Sequence, residues 1–172
     1  MIRDAIPTDA SAIAHVHVSS WQQAYRQLMP AAFLASLTNT LAQREAFWAR
    51  SISAGDTNVL VAEVAGQVVG WIDVGAGRDE DAAADNAGEV MALYVLAEHW
   101  GTGVGMALWK AGLQRLADHG HRRLTLWVLA DNERAIRFYR RAGWAEEPGS
   151  QRTLTRGGVT LAEVRYGWAA VQ

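Results

Sequence analysis

An apolar run from Glu89 to Leu96 leads into Trp100-Gly101-Thr102-Gly103-Val104-Gly105, and a helix-forming stretch follows to about His119. The run is short enough for a buried strand. Glycines between strand and helix permit positive φ and close backbone approach, so consecutive N–H groups can form a concave nest. The first helical N–H groups lack intrahelical partners and face any incoming anion. This arrangement points to a mixed α/β fold with a strand–turn–helix at its centre and an anion site in the turn; a plain tight turn is the alternative. Residue offsets remove two phosphate-binding types. A dinucleotide fingerprint needs its third glycine where Met106 stands, and a P-loop needs a Gly-Lys-Ser/Thr sequence that is absent.

The rest of the chain supplies elements around this centre. Ile2 to Ile6 reads as a strand, and Thr8 or Asp9 as the N-cap of a helix carrying Ile13, Val16, His17, Ser20, Trp21 and Ala24 at helical spacing. A second helical stretch covers Ala31 to Ser51. Asn58–Val64 and Val68–Val74 form a β-hairpin, and the Gly-, Ala- and acid-rich residues 75–88 read as a mobile loop. Arg123–Val128 is a strand, Asn132–Ala142 a helix stopped by Gly143, and Arg152–Thr155 and Val159–Tyr166 are strands joined at Arg156-Gly157-Gly158. The order is β-α-α-β-β-β-α-β-α-β-β, and 172 residues without a linker-like tract suggest one domain, 1–172.

Half of the residues are hydrophobic and none is cysteine, so the chain has the means for a core but no disulfide, thiolate metal site or cysteine nucleophile. A net charge of −2 argues against nucleic acid as the main partner. No apolar run reaches membrane-spanning length, and Met1-Ile2-Arg3-Asp4 does not resemble a secretory leader; a soluble, cytoplasmic protein is the expectation. The five histidines make no metal signature: His15 and His17 point apart on a helix, and His119 and His121 flank a helix-ending glycine.

The segment Leu93-Tyr94-Val95-Leu96-Ala97-Glu98-His99-Trp100-Gly101-Thr102-Gly103-Val104-Gly105-Met106-Ala107-Leu108 resembles the acetyl-CoA motif of the GNAT N-acetyltransferase superfamily. The family pattern, Gln/Arg-x-x-Gly-x-Gly/Ala, places its small residues at Gly103 and Gly105; Trp100 departs from the usual Gln or Arg. A second segment, Leu126 to Trp144 with Asn132, Ala135, Phe138, Tyr139 and Gly143, is similar to the family's next strand and helix. Asn132 and Tyr139, seven residues apart, share one helix face. An N-cap role for Asn132 and a packing role for Tyr139 are the alternatives.

The resemblance implies a mostly antiparallel sheet flanked by helices and direct transfer of acetyl from acetyl-CoA to an amine, with no metal. It places cofactor contacts at Leu93, Tyr94, Val95, at Trp100, Gly101, Thr102, Gly103, Val104, Gly105 and Met106, and at Asn132, Ala135 and Tyr139. Trp100 would act through its backbone N–H, with less side-chain charge at the turn than is usual. Val95 N–H would stabilise the developing oxyanion, Tyr139 would protonate the leaving thiolate, and Glu89, 14 residues before Gly103, would serve as base unless a water chain does. Trp21, Tyr25 and Trp71 are acceptor-pocket candidates. The acids Asp73, Asp79, Glu80, Asp81, Asp85 and Glu89 could attract a cationic amine. The acceptor is a small-molecule, peptide or protein amine, and a homodimer follows family habit. A non-catalytic acyl-CoA-binding module is the alternative reading.

Overall fold

The computed structural model describes residues 1–169. The elements are β1 (Ile2–Asp4), α1 (Ala10–Ala24), α2 (Ala31–Ser36), α3 (Leu41–Ala54), β2 (Asn58–Val64), β3 (Gln67–Ala76), β4 (Gly88–Val95), α4 (Val104–Asp118), β5 (Arg123–Leu129), α5 (Glu133–Arg141), β6 (Ala145–Glu146), β7 (Arg152–Arg156) and β8 (Val159–Ala169). They form one sheet in the order β1-β2-β3-β4-β5-β8-β6, with β7 also on β8. Every pairing is antiparallel except that of β4 with β5, the two strands joined through α4. The expected mixed, mostly antiparallel sheet flanked by helices is thus what forms.

Central strands are apolar on both sides because both faces of the sheet are covered. Leu60, Ile72, Val74 and Val90 face Leu108, Trp109 and Leu116 of α4. Their neighbours Val59, Val61 and Trp71 face Ile13 and Val16 of α1 and Trp48 of α3. Gly112 lets α4 lie close to the sheet, since a Cβ there would sit 2.6 Å from Ile72 Cδ1. A third cluster of Val18, Met29, Leu34, Leu37 and Leu161 seals α2 against the β7–β8 hairpin. No described helix is long and apolar enough to cross a membrane.

Local chemistry explains most departures from the expected elements. The single helix expected over 31–51 is two, separated by a 3-10 turn at Leu37–Thr40. Ser36 and Thr40 hydroxyls donate to the carbonyls of Phe33 and Leu37, at 2.6 Å each, offering the backbone an alternative to continuous helix. Asp9 precedes α1 but does not cap it with its side chain. Its carboxylate instead accepts from Ile6 N–H and two Arg3 nitrogens, which holds its pKa below the usual range. The two-residue strand β6 carried no periodic signal.

Residues 77–87 are pinned, contrary to the expected mobile loop. Gly77 N–H and Ala87 N–H donate to the carbonyls of Ala87 and Ala82. Arg165 on β8 then binds Asp79 at 3.1 Å, Asp81 at 2.8 Å and Glu147 at 2.6 Å. Arg123 on β5 adds Asp81 and Asp85. Arg165 is only 16% exposed and is the nearest cation to all three carboxylates, so its loss leaves Asp79, Asp81 and Glu147 with only the longer ion pairs to Arg152 and Arg123. Arg165→Ala is expected to cost about 2 kcal/mol in chemical denaturation and to speed hydrogen exchange at Ala82 and Ala87. Unchanged exchange there would show that the loop holds itself.

Candidate active site

The parallel ladder between β4 and β5 covers only Gly88–Val90 opposite Leu124–Leu126. Beyond it β4 continues on β3 to Val95, while β5 follows β8 to Leu129, so the two strands part. Leu96 N–H donates to Val69 on the β3 side. By strand alternation the peptide groups of Leu93 and Val95 point the other way, into the gap. Val95 C=O accepts from the Trp100 indole at 2.7 Å and from Ser20 Oγ at 3.3 Å.

Two cavities of about 520 Å³ each meet at this gap, sharing Leu93, Arg134, Ala135 and Tyr139. The first lies at the α4 N-terminus and is lined by Trp100, Gly101, Gly103, Gly105 and Met106 together with α5. Gly101 and Gly103 adopt φ of +76° and +92°, the left-handed geometry that a side chain resists. Thr102 holds the turn from outside by donating to His99 C=O at 2.7 Å. Ala107 N–H donates to Gly103 C=O, which leaves the Val104–Met106 amides as the open donors of the first turn.

Trp100 corrects two expectations. Its backbone N–H closes a turn on Ala97 C=O, so it is not the anion contact. Its ring supports Arg134, whose guanidinium lies 3.4 Å from the indole centroid. Arg134, Arg137 and Arg141 recur at three and four along α5, and all three line this cavity with His99. The positive charge absent at position 100 therefore arrives from α5. Arg134 has no carboxylate partner among the described residues, and burial shifts its pKa downward.

The second cavity lies across the gap. Trp21, Tyr25, Tyr94, Val95 and Asn132 line it near α1, and Arg78, Trp127, Arg152, Leu154, Arg156 and Glu163 line its far end. Tyr94 hydroxyl accepts from Trp21 indole N–H at 2.9 Å. Asn132 caps α5, accepting from Ala135 N–H at 3.2 Å. Burial raises the Tyr25 and Tyr139 phenol pKa values, so both stay protonated through the neutral range. Tyr139 packs on Trp109, with ring centroids 5.3 Å apart, and stands where the two cavities join.

Four expected site residues line neither cavity. Trp71 is 1% exposed, with its indole donating to Ile13 C=O at 3.1 Å, and belongs to the core rather than to an acceptor pocket. Val104 packs in the core, and Thr102 faces outward. Glu89 is 2% exposed and gives both oxygens to Arg78, at 2.6, 3.0 and 3.1 Å. That fork argues against its acting as a freely accessible base. The residues that sequence reasoning missed are largely arginines. Arg134, Arg137 and Arg141 had a helical signal, and Arg152, Leu154 and Arg156 a strand alternation.

Beside Tyr94, His17 stacks at 4.8 Å and has Arg44 Nη1 3.3 Å from its Nδ1. Burial, then the Arg44 charge, lowers its pKa to about 3. The unfolded chain takes up this proton near pH 6.5, so His17 removes stability as pH falls from there toward 3. Asp73, raised to about 6 chiefly by burial, acts oppositely and loses stability as pH rises through 4 to 6. The stability difference between wild type and His17→Gln isolates the first effect. It is expected to move against wild type by roughly 1 kcal/mol per pH unit from pH 6 to 4; a constant difference would refute the assignment.

Known proteins resemble this chain in sequence and in fold. Residues 18–144 match the acetyltransferase (GNAT) family. The chain is 33% identical over 168 residues to the uncharacterized N-acetyltransferase YuaI of Bacillus subtilis, covering 97% of this chain and 91% of that one. It is 38% identical over 90 residues to mycothiol acetyltransferase of Cellulomonas flavigena, but spans only 26% of that protein. Among solved structures, PaiA N-acetyltransferase of Thermoplasma acidophilum in complex with coenzyme A has a TM-score of 0.72 at 20% identity, covering 95% of this chain and 96% of that one. YncA of Salmonella typhimurium with its cofactor acetyl-CoA has a TM-score of 0.70 at 21% identity, covering 100% and 94%. With three quarters of its length matched by the family and a near full-length relative at one-third identity, the chain belongs to the GNAT family of acetyltransferases.

Proposed function

We propose that the chain moves the acetyl group of acetyl-CoA directly to an amine, with the cofactor on the α4–α5 side of the gap and the amine on the α1–β7 side. The observation that carries this reading is the junction at Tyr139 of an anion-binding cavity and a second cavity, beside the unpaired edge of β4. The α4 amides and the arginines of α5 suit the phosphates of coenzyme A. The Leu93 and Val95 peptide groups suit the amides of its pantetheine arm as an added strand. Acetyl-CoA supplies an activated acyl group on a thiol that leaves.

Val95 N–H faces the gap and is placed to receive negative charge on the acyl oxygen. Tyr139 offers its O–H to the departing sulfur. One N–C bond forms, one C–S bond breaks, and the proton balance moves one hydrogen from nitrogen to sulfur. Burial makes a free phenolate costly, so Tyr139 works by giving a proton that is replaced as it leaves. Glu89 holds Arg78 in the acceptor wall, and the amine sheds its first proton to water in the open cavity.

Tyr139→Phe is expected to lower kcat by about 100-fold while leaving the Kd for coenzyme A within about twofold. Full turnover in that variant would discard the donor role. Arg134→Ala is expected to weaken coenzyme A about tenfold and to flatten the salt dependence of its Kd, as lost charge-assisted contacts require. Trp100→Ala should show the same loss in weaker form because it removes the shelf beneath Arg134. An unchanged Kd in Arg134→Ala would return the phosphate contact to the backbone alone.

A further inference from the structure

Asp79, Asp81, Asp85 and Glu89 do not face the acceptor cavity as a free anionic surface. Asp79, Asp81 and Asp85 are bound to Arg123, Arg152 and Arg165, and Glu89 is bound to Arg78. The cavity itself is lined by Arg78, Arg134, Arg152 and Arg156 against one carboxylate, Glu163. Arg152 is already matched, since its Nε donates to Glu163 and its guanidinium lies 3.6 Å from the Trp127 ring centroid. Arg156 has no carboxylate partner among the described residues and donates only to the neighbouring Thr155 C=O, at 3.1 Å. Arg78 spends Nε and Nη2 on Glu89, keeps Nη1, and is 62% exposed at its side chain.

The placement of Arg156 is structural rather than accidental. Alternation in β7 puts Arg152, Leu154 and Arg156 on one face, and Leu154 packs in the cluster beneath α2. Gly157 follows at a φ of +58°, where a Cβ would meet Phe33 at 2.5 Å, so the hairpin end is pressed on α2 and its position is fixed. Excess cationic charge in a cleft repels ammonium-rich ligands and concentrates anionic ones.

We propose that the acceptor is an amine that also carries an oxyanion, a carboxylate or a phosphate, held by Arg156 with Arg78, while its amino group reaches toward Tyr139. This rests on the acetyl-transfer reading above and names the substrate class of the same site. It excludes polyamines as the preferred acceptors.

Four amines with short skeletons separate the possibilities: β-alanine, O-phosphoethanolamine, ethanolamine and spermidine. Each is assayed for thiol release from acetyl-CoA and, independently, for binding to the enzyme–coenzyme A complex by calorimetry. One or both anionic amines are expected to bind and react at least about tenfold better than ethanolamine, and the better of the two identifies carboxylate or phosphate. Arg156→Gln is expected to erase that preference by raising KM for the anionic amine, with the KM for acetyl-CoA unmoved. Equal binding of all four amines, a preference for spermidine or ethanolamine, or an Arg156→Gln loss shared by every amine would overturn the inference. Anion-selective binding without turnover of any amine would instead strike the acetyl-transfer reading and leave the charge selection standing.

Discussion

β4 and β5 share three residue pairs and then separate. A sheet interior ordinarily pairs all of its backbone groups, because a buried unpaired peptide group costs free energy comparable to a lost hydrogen bond. At this point the protein leaves part of one strand unpaired and arranges the surroundings to suit. Trp100 and Ser20 satisfy the last carbonyl of β4, at Val95, so the open edge ends at a defined place. Helices α4 and α5 line one side of the opening, and α1 with β7 lines the other. The cavities, the exposed first turn of α4 and the position of Tyr139 all follow from the early end of that ladder.

Charge is the second organising quantity. The chain is slightly acidic overall, yet both cavities are lined by arginine. This separation is achieved by pairing Asp79, Asp81 and Asp85 with Arg123 and Arg165. Exposed ion pairs of this sort add little stability individually, but Arg165 connects three carboxylates while largely buried. The network's main effect is to leave the cavity field to Arg134, Arg78 and Arg156. Trp100 fits the same pattern. An aromatic shelf lets α5 present a guanidinium beside the turn.

Much of the fold was legible because its signals are local. The run Glu89–Leu96, the glycines after it and the period of α4 lie in contiguous sequence. The hairpin turns at Ala65 and Gly66, with φ of +50° and +78°, where the strand alternation breaks. Asn132 and Tyr139 were legible as a pair, and the structure puts Tyr139 at the junction and Asn132, the cap of α5, on the wall of the second cavity. What was not legible depends on partners far along the chain. Asp79 and Asp81 look like a solvated run until Arg165, more than 80 residues later, is seen between them. Glu89 has the spacing of a base, but Arg78 takes both of its oxygens. Trp21 and Trp71 are equivalent as residue types, and only the packing of α1 on β3 puts one at a cavity and the other in the core. The alternation of Arg152, Leu154 and Arg156 was visible, but its meaning required knowing which face of β7 looks inward.

The reach of Arg165 bears on the order in which the molecule can be completed. Its contacts with Asp79 and Asp81 close loops of more than 80 residues, and such long closures are entropically late events in folding. β8 is also the strand that β5, β6 and β7 share. During synthesis the β2–β3 hairpin and the β4–α4 unit can form from nearby residues alone, but the segment carrying Arg78 lacks its Arg165 anchor until β8 has emerged and docked. The nascent chain therefore completes the glycine turn at the head of α4 well before the β7–β8 wall of the second cavity, so the two chambers beside the gap are finished in sequence, not together.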